Sequence, residues 1–167
     1  QRGDDVRLTI SERLSRYISE QFPAGKRGAV VVLNYKTNEI LAMVSMPQFD
    51  PTNMDAALAN ESAGALINRA TQGLYPPGST FKILTAMEYM RENPSFDKYR
   101  YECSGSDTFG GNVIRCYNGE HHGTVDLKSS LAHSCNGSFA HIGVGLNRKS
   151  YRKLCEAFGF NSSLGVK

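Results

Sequence analysis

Ser79 and Lys82, three residues apart, are the pair in this sequence best placed to do chemistry. A serine hydroxyl is a weak nucleophile at its own pKa and needs a neighbouring base. A lysine amine can be that base when partial burial or a nearby cation lowers its pKa. The two lie in Tyr75-Pro76-Pro77-Gly78-Ser79-Thr80-Phe81-Lys82-Ile83-Leu84-Thr85-Ala86. The prolines and glycine stop any preceding element, and Phe81, Ile83, Leu84, Ala86 and Met87 read as a buried helix. Ser79 then falls in the first turn, where backbone N–H groups are unpaired and the dipole end is positive. Lys82 follows one turn on, on the same face. A bare Ser-x-x-Lys is also the ordinary start of a solvated helix, so its weight comes from its surroundings.

A second set of reactive side chains lies downstream. Cys103 and Cys116 flank a polar, glycine-rich insert, and His121 and His122 follow. A disulfide between the two cysteines would close a short loop in an oxidising compartment. Two reduced cysteines are the plain alternative. A zinc reading would recruit Cys103, Cys116, His121 and His122, but no C-x-x-C or H-x-x-x-H spacing accompanies it. The expected cofactor set is therefore none. Either histidine could act as a general base in principle, against the simpler role of a turn histidine held by backbone. Cys135 is expected to pack inward.

These residues sit in a chain of 167, enough for one domain with a substantial core. Hydrophobic residues make up 40% and charged residues 21%, which excludes a disordered chain. The net charge of +3 is scattered, with no basic run longer than Lys26-Arg27 or Arg148-Lys149, so a nucleic-acid partner is not expected. No stretch approaches the roughly 20 apolar residues of a membrane span.

The elements that must position the site can be read in outline. Ile10, Leu14, Tyr17, Ile18 and Phe22 give one helical face, with Thr9 and Glu12 as a capping box and Pro23-Ala24-Gly25 as the stop. Residues 29–34 and 39–45 form two strands joined by a turn at Tyr35-Lys36-Thr37-Asn38. The first strand is nearly all apolar and is expected to be covered on both faces. Residues 54–73 read as helix and loop, with Arg69 a surface ion-pairing residue. Residues 96–123 read as a long irregular region. Asp126 caps a helix ending near Ala132, and further core faces run to Phe160, with Gly159 ending the last helix.

The string Asn68-Arg69-Ala70-Thr71-Gln72-Gly73-Leu74-Tyr75-Pro76-Pro77-Gly78-Ser79-Thr80-Phe81-Lys82 closely resembles the active-site serine region of penicillin-binding protein transpeptidases, and specifically their monofunctional, membrane-anchored class B. Leu8-Thr9-Ile10 is similar to the start of that family's transpeptidase domain. Pro47 to Asn53 is similar to its Pro-x-Phe-Asp-Pro-Asn segment with one residue inserted. The resemblance makes Ser134-Cys135-Asn136 the second motif, Ser-x-Asn, 55 residues after Ser79. It implies an α+β fold with helices packed on an antiparallel sheet, here incomplete. It implies four catalytic residues: Ser79 as nucleophile, Lys82 as base, Ser134 as proton relay and Asn136 as a donor to the substrate amide. It implies an extracytoplasmic site at the bacterial cell membrane, which strengthens the disulfide expectation for Cys103 and Cys116.

The family's third motif, Lys-(Ser/Thr)-Gly, has no match, since Lys36-Thr37-Asn38 lacks the glycine and is misplaced. Residues 1–7 then read as a linker remnant, and 8–167 as the first part of a transpeptidase domain that stops before the third motif. The parent would be anchored by a preceding helix and would work with membrane-embedded cell-wall synthesis partners. Its partners in chemistry would be the D-alanyl-D-alanine stem pentapeptide of peptidoglycan and the β-lactams that mimic it. A serine β-lactamase, a β-lactam sensor domain and a non-catalytic fragment remain as alternatives. The piece alone is expected to be inactive or weakly active.

Overall fold

Short apolar runs separated by Gly, Pro and Asn turns fold here into small antiparallel ladders with helices beside them, an α+β arrangement. The computed structural model describes residues 3–59 and 64–163. The described residues fall into two compact units, one up to Tyr75 and one from Pro76 onward. Among the described residues no helix is long and apolar enough to cross a membrane.

In the first unit, α1 (Glu12–Gln21) packs on a hairpin of β1 (Gly28–Leu33) and β2 (Ile40–Met46). The hairpin pairs Gly28 with Met46 and Leu33 with Ile40, with an irregularity between Val32 and Leu33. Its turn places Asn38 at φ +59, a conformation asparagine tolerates better than most residues. The capping box expected from Thr9 and Glu12 does not form. Ser11 is the N-cap, its Oγ accepting from the Leu14 N–H at 3.3 Å. Thr9 instead donates its hydroxyl to the Ile40 carbonyl at 2.7 Å, because the chain before α1 runs alongside β2. The expectation that β1 is covered on both faces is also corrected. Val31 and Leu33 are 42% and 58% exposed, and on the paired strand Asn68 and Arg69 meet the Val31 face only at Met43 and Ser45.

The segment after the hairpin yields α2 (Met54–Ala59) and α3 (Arg69–Gln72), and residues 60–63 of the expected helix and loop lie outside the described residues. Arg69 is buried, not a surface residue. Its Nη1 donates to the Gly64 carbonyl at 2.7 Å and its backbone N–H donates to Ser45 Oγ at 3.0 Å.

The second unit holds Ser79, Lys82, Ser134 and Asn136. A 3₁₀ turn, Gly78–Phe81, runs directly into α4 (Lys82–Glu92). The stretch 96–123, read from sequence as irregular, and the two residues after it hold four short strands: β3 (Tyr101–Cys103), β4 (Ser106–Phe109), β5 (Asn112–Arg115) and β6 (Gly123–Val125). β3 pairs with β6 and β4 with β5, both antiparallel. Then come α5 (Leu127–Ala132), capped by Asp126 in a capping box with Ser129, α6 (Asn136–Gly145) and α7 (Arg148–Ala157). Gly159, at φ +82, closes the end of α7, its N–H donating to the Glu156 carbonyl.

Ala86 of α4 packs with Tyr99 and with Phe139, Ile142 and Leu146 around α6, forming the core of this unit. A buried hydroxyl chain ties α5 to α6. Ser130 Oγ lies 2.7 Å from Ser138 Oγ, which lies 2.9 Å from the Tyr99 hydroxyl. Each of these polar groups is thereby satisfied away from water, so the chain adds specificity to the packing.

Glu88 on α4 is fully buried and takes two hydrogen bonds from Arg91, at 2.9 and 2.6 Å. The Arg91 bonds hold its carboxyl down to about 2, against an ordinary 4.5. A lowered carboxylate pKa stabilises the fold above the unfolded value and loses that contribution as pH falls through the folded value. The melting temperature should therefore drop as pH is taken from 4.5 to about 2. A Glu88→Gln variant should lack that part of the drop, and an identical acid profile would remove Glu88 as its source.

Candidate active site

The backbone delivers the two motifs by different routes. Ser79 sits in the 3₁₀ turn after Gly78, whose φ of +54 turns the chain out of Pro76-Pro77. Glycine meets no steric penalty there. Lys82 opens α4 one turn later. Ser134 and Asn136 cannot share a face of one regular helix. They sit at the break between α5 and α6, where Ser134 adopts φ +51. That turn is held by the Ser134 N–H to the Leu131 carbonyl at 3.0 Å and the Cys135 N–H to the Ser130 carbonyl at 2.9 Å. Cys135 also caps α6, its sulfur accepting from the Ser138 N–H.

All four predicted site residues meet at the Lys82 amine. Lys82 Nζ lies 2.8 Å from Ser134 Oγ, 2.6 Å from the Ser134 carbonyl oxygen and 2.6 Å from Asn136 Oδ1. Its direct approach to Ser79 Oγ is longer, 3.4 Å. Ser134 Oγ bridges that gap, donating to Ser79 Oγ at 2.8 Å. The short path between nucleophile and amine therefore runs through Ser134. Burial draws the Lys82 amine below its ordinary 10.5 against the opposing pull of Cys135 and Cys116, so that it can lose its proton more readily than a free lysine.

Asn136 is oriented from its other end. Its Nδ2 donates to the Arg115 carbonyl at 2.8 Å, which turns Oδ1 toward Lys82. This role for the end of β5 was not visible in the sequence, because a backbone carbonyl carries no residue-type signal.

Cys103 and Cys116, expected to be paired or close enough to pair, lie side by side as thiols. Both thiols are free and their sulfurs stand 3.6 Å apart, against about 2.0 Å in a disulfide. They belong to a larger group. Cys116 Sγ is 3.8 Å from Cys135 Sγ, and Cys103 Sγ is 3.3 Å from His122 Nδ1. The four donor atoms all lie within 4.8 Å of one another. A tetrahedral zinc ion with Zn–S of about 2.3 Å and Zn–N of about 2.05 Å sets sulfur–sulfur edges near ~3.8 Å and sulfur–nitrogen edges near ~3.6 Å. The donor set thus fits a closed Cys₃His metal site. The zinc set read from sequence is corrected: Cys135 takes the place of His121, whose ring instead lies against Gly105.

His122 is well buried, and its Nε2 makes no hydrogen bond, with Glu120 Oε2 the nearest carboxylate oxygen at 3.5 Å. A ligating histidine commonly turns its second nitrogen to such a carboxylate. Its ring stacks on His133, and its Nδ1 faces the Cys103 sulfur. Burial raises the Cys103 thiol, but hydrogen bonds from the His122 and Gly105 backbone outweigh it and bring it down to about 6. Burial pushes Cys135 up to about 12.

The penicillin binding protein transpeptidase domain model matches residues 28–167. Peptidoglycan D,D-transpeptidase MrdA of Escherichia coli K12 is 32% identical over 180 residues, covering 99% of this chain and 28% of that relative. The D,D-transpeptidase domain of a peptidoglycan glycosyltransferase from Eggerthella lenta matches with a TM-score of 0.88 at 30% identity, over 96% of this chain and 39% of that one. Penicillin-binding protein A of Mycobacterium tuberculosis, solved as a penicillin G acyl-enzyme complex, matches with a TM-score of 0.78 at 28% identity, over 92% and 40%. The chain thus spans well under half the length of the relatives it matches. With sequence model, curated relative and solved structures in agreement along nearly all of its length, this chain belongs to the penicillin binding protein transpeptidase family.

Proposed function

We propose that this chain supplies the acylating half of a serine D,D-transpeptidase site that cross-links peptidoglycan stem peptides. The carrying observation is the hydrogen-bonded circuit Ser79–Ser134–Lys82, with links of 2.8 Å each. With Lys82 neutral, the Ser79 proton passes through Ser134 Oγ to the amine as Ser79 Oγ attacks the penultimate D-alanine carbonyl. The negative charge that develops on that oxygen meets the Ser79 N–H at the head of the turn. Asn136 keeps one amide hydrogen beyond the one given to Arg115, and directs it to the substrate amide carbonyl. The carbon–nitrogen bond then breaks, and the proton held by Lys82 returns through Ser134 to the departing D-alanine amine. The amine of a neighbouring stem attacks the ester and completes the cross-link. A β-lactam follows the same first step, and its opened ring keeps the acyl group on Ser79. Relatives named for cell-wall transpeptidation support an extracytoplasmic place for this chemistry.

Residues 8–167 are, in this reading, the first part of the domain. The Lys-(Ser/Thr)-Gly strand, with its second oxyanion donor, comes from chain outside them. Loss of one such donor costs roughly 10²–10³ in rate, so the 167-residue chain should acylate far more slowly than a longer protein that includes the strand.

Ser134→Ala tests the circuit. It removes the bridging oxygen and leaves the 3.4 Å direct approach. In the protein carrying all three motifs, the acylation rate with a fluorescent penicillin should fall about 10²-fold, within the range for a displaced proton-transfer group. An unchanged rate would take Ser134 out of the proton path. Rapid release of hydrolysed penicillin by the unaltered protein would favour a β-lactamase instead.

A further inference from the structure

The thiol cluster ties four separate segments to the motif. Cys103 ends β3, Cys116 follows the last residue of β5, His122 precedes β6, and Cys135 is the middle residue of Ser134-Cys135-Asn136. Arg115, whose carbonyl orients Asn136, is the residue before Cys116. Movement at Cys116 or Cys135 is therefore passed directly to the groups that hold Lys82. A bound dication would contribute structure alone, because four protein donors leave it no open position.

Three of the four donors are thiols, and they are nearly sealed, at 2%, 4% and 0% exposure. In an oxidising compartment a thiol group of this kind has two stable fates, ligation of a metal or pairing as a disulfide. Cys103 and Cys116, at 3.6 Å, are the closest sulfur pair and are poised for either. The two fates exclude each other because they compete for the same sulfurs. Pairing Cys103 with Cys116 leaves only His122 and Cys135, too few donors to hold the ion.

We propose that Cys103, Cys116, His122 and Cys135 form a metal–thiolate catch on the Ser134–Asn136 turn, which a peroxide-class oxidant opens by converting Cys103 and Cys116 to a disulfide. One thiolate sulfur attacks the peroxide O–O bond, becoming a sulfenic acid as the other oxygen leaves as water. The second thiolate attacks that sulfur, and the S–S bond forms as hydroxide departs. The two sulfurs lose two electrons, peroxide gains two, two solvent protons complete two waters, and the metal leaves as the dication. The sulfurs close from 3.6 Å to about 2.0 Å, which draws Cys116 from Cys135 and the Arg115 carbonyl from Asn136. Small oxidants reach a sealed cluster more readily than bulky protein thiol oxidases do. The effect on acylation rests on the acyl-transfer reading above, whereas metal release and disulfide formation do not.

The test uses the protein carrying all three motifs, reduced and loaded with zinc sulfate, with Cys155→Ala to remove the thiol outside the cluster. Elemental analysis should find one zinc per chain. Hydrogen peroxide should release that zinc, read with a chromophoric chelator, in step with a Cys103–Cys116 disulfide in the peptide map. The penicillin acylation rate should fall tenfold or more, and dithiothreitol with fresh zinc should restore it. Cys116→Ser should bind zinc more weakly and give no such disulfide. If that variant does not fold, zinc release and peptide map from the Cys155→Ala protein decide alone. No stoichiometric zinc, a disulfide formed with zinc retained, or zinc loss with acylation unchanged would each overturn the proposal. If the untreated protein is not acylated at all, the acyl-transfer reading fails. The catch is then judged on zinc and disulfide, and the absence of either overturns it.

Discussion

Replacing Ser79 by alanine is expected to abolish covalent labelling by a fluorescent penicillin, with no residual adduct above background. Ser79 Oγ is the hydroxyl that Ser134 contacts and that Lys82 approaches, and it heads the turn where the developing oxyanion would find a backbone N–H. Ser134 is itself a serine beside the amine, at 2.8 Å, and so is the competitor in reach among the described residues. Its own N–H is already given to the Leu131 carbonyl at 3.0 Å, so it is not free to receive an oxyanion formed at Ser134. A nucleophile acting within a coupled group cannot be replaced by its partners, and its loss elsewhere costs on the order of 10⁶ in rate. The Ser79→Ala protein should keep its melting temperature, because Ser79 is exposed and no core packing is lost. Labelling of this variant would move the nucleophile elsewhere.

The Lys82→Ala variant is expected to lose about 10²–10⁴ in acylation rate, the usual worth of a positioned general base. Its amine also anchors the motif, through contacts to the Ser134 carbonyl, Ser134 Oγ and Asn136 Oδ1. The loss should therefore sit at the upper end. Lys82 is also expected to set the pH dependence of acylation. Burial favours the neutral amine and lowers its pKa from 10.5. Below that lowered value the amine is protonated and cannot accept from Ser134, so the rate is small. As pH rises through it, the rate climbs and then levels off. Stability moves the same way: the folded state sheds this proton before the unfolded chain does, so the cost of the buried charge is relieved with rising pH. A pH–rate profile in Lys82→Ala should lack the rise. A rise retained without the amine would assign it to another group.

How much of this was legible follows from how local each feature is. Ser79 and Lys82 needed only one helical turn and the Pro-Pro-Gly stop before it, so residue types and spacing were enough. Ser134 and Asn136 were legible only through family resemblance, since Ser-x-Asn has no periodicity of its own. What brings them to Lys82 is a positive-φ turn at Ser134 and the packing of α4 against α6. The cysteine cluster stayed hidden because its members lie on four segments joined by β3–β6 pairing and the α5–α6 turn. A buried cysteine inside the second motif, together with Cys103, Cys116 and a histidine pair, was the only hint. Arg69 was misjudged for a related reason. A charged residue at a helix start reads as solvated until a loop carbonyl, here that of Gly64, closes over it.

The central claim, that Ser79 takes the acyl group, is tested most directly by mapping the adduct. The protein carrying all three motifs is treated with penicillin G, digested with trypsin and sequenced by mass spectrometry. Cleavage after Arg69 and Lys82 isolates residues 70–82, and cleavage after Lys128 and Arg148 isolates residues 129–148. The predicted result is one penicilloyl group, on residues 70–82 and fragmenting to Ser79. An adduct on residues 129–148, fragmenting to Ser134, would contradict it.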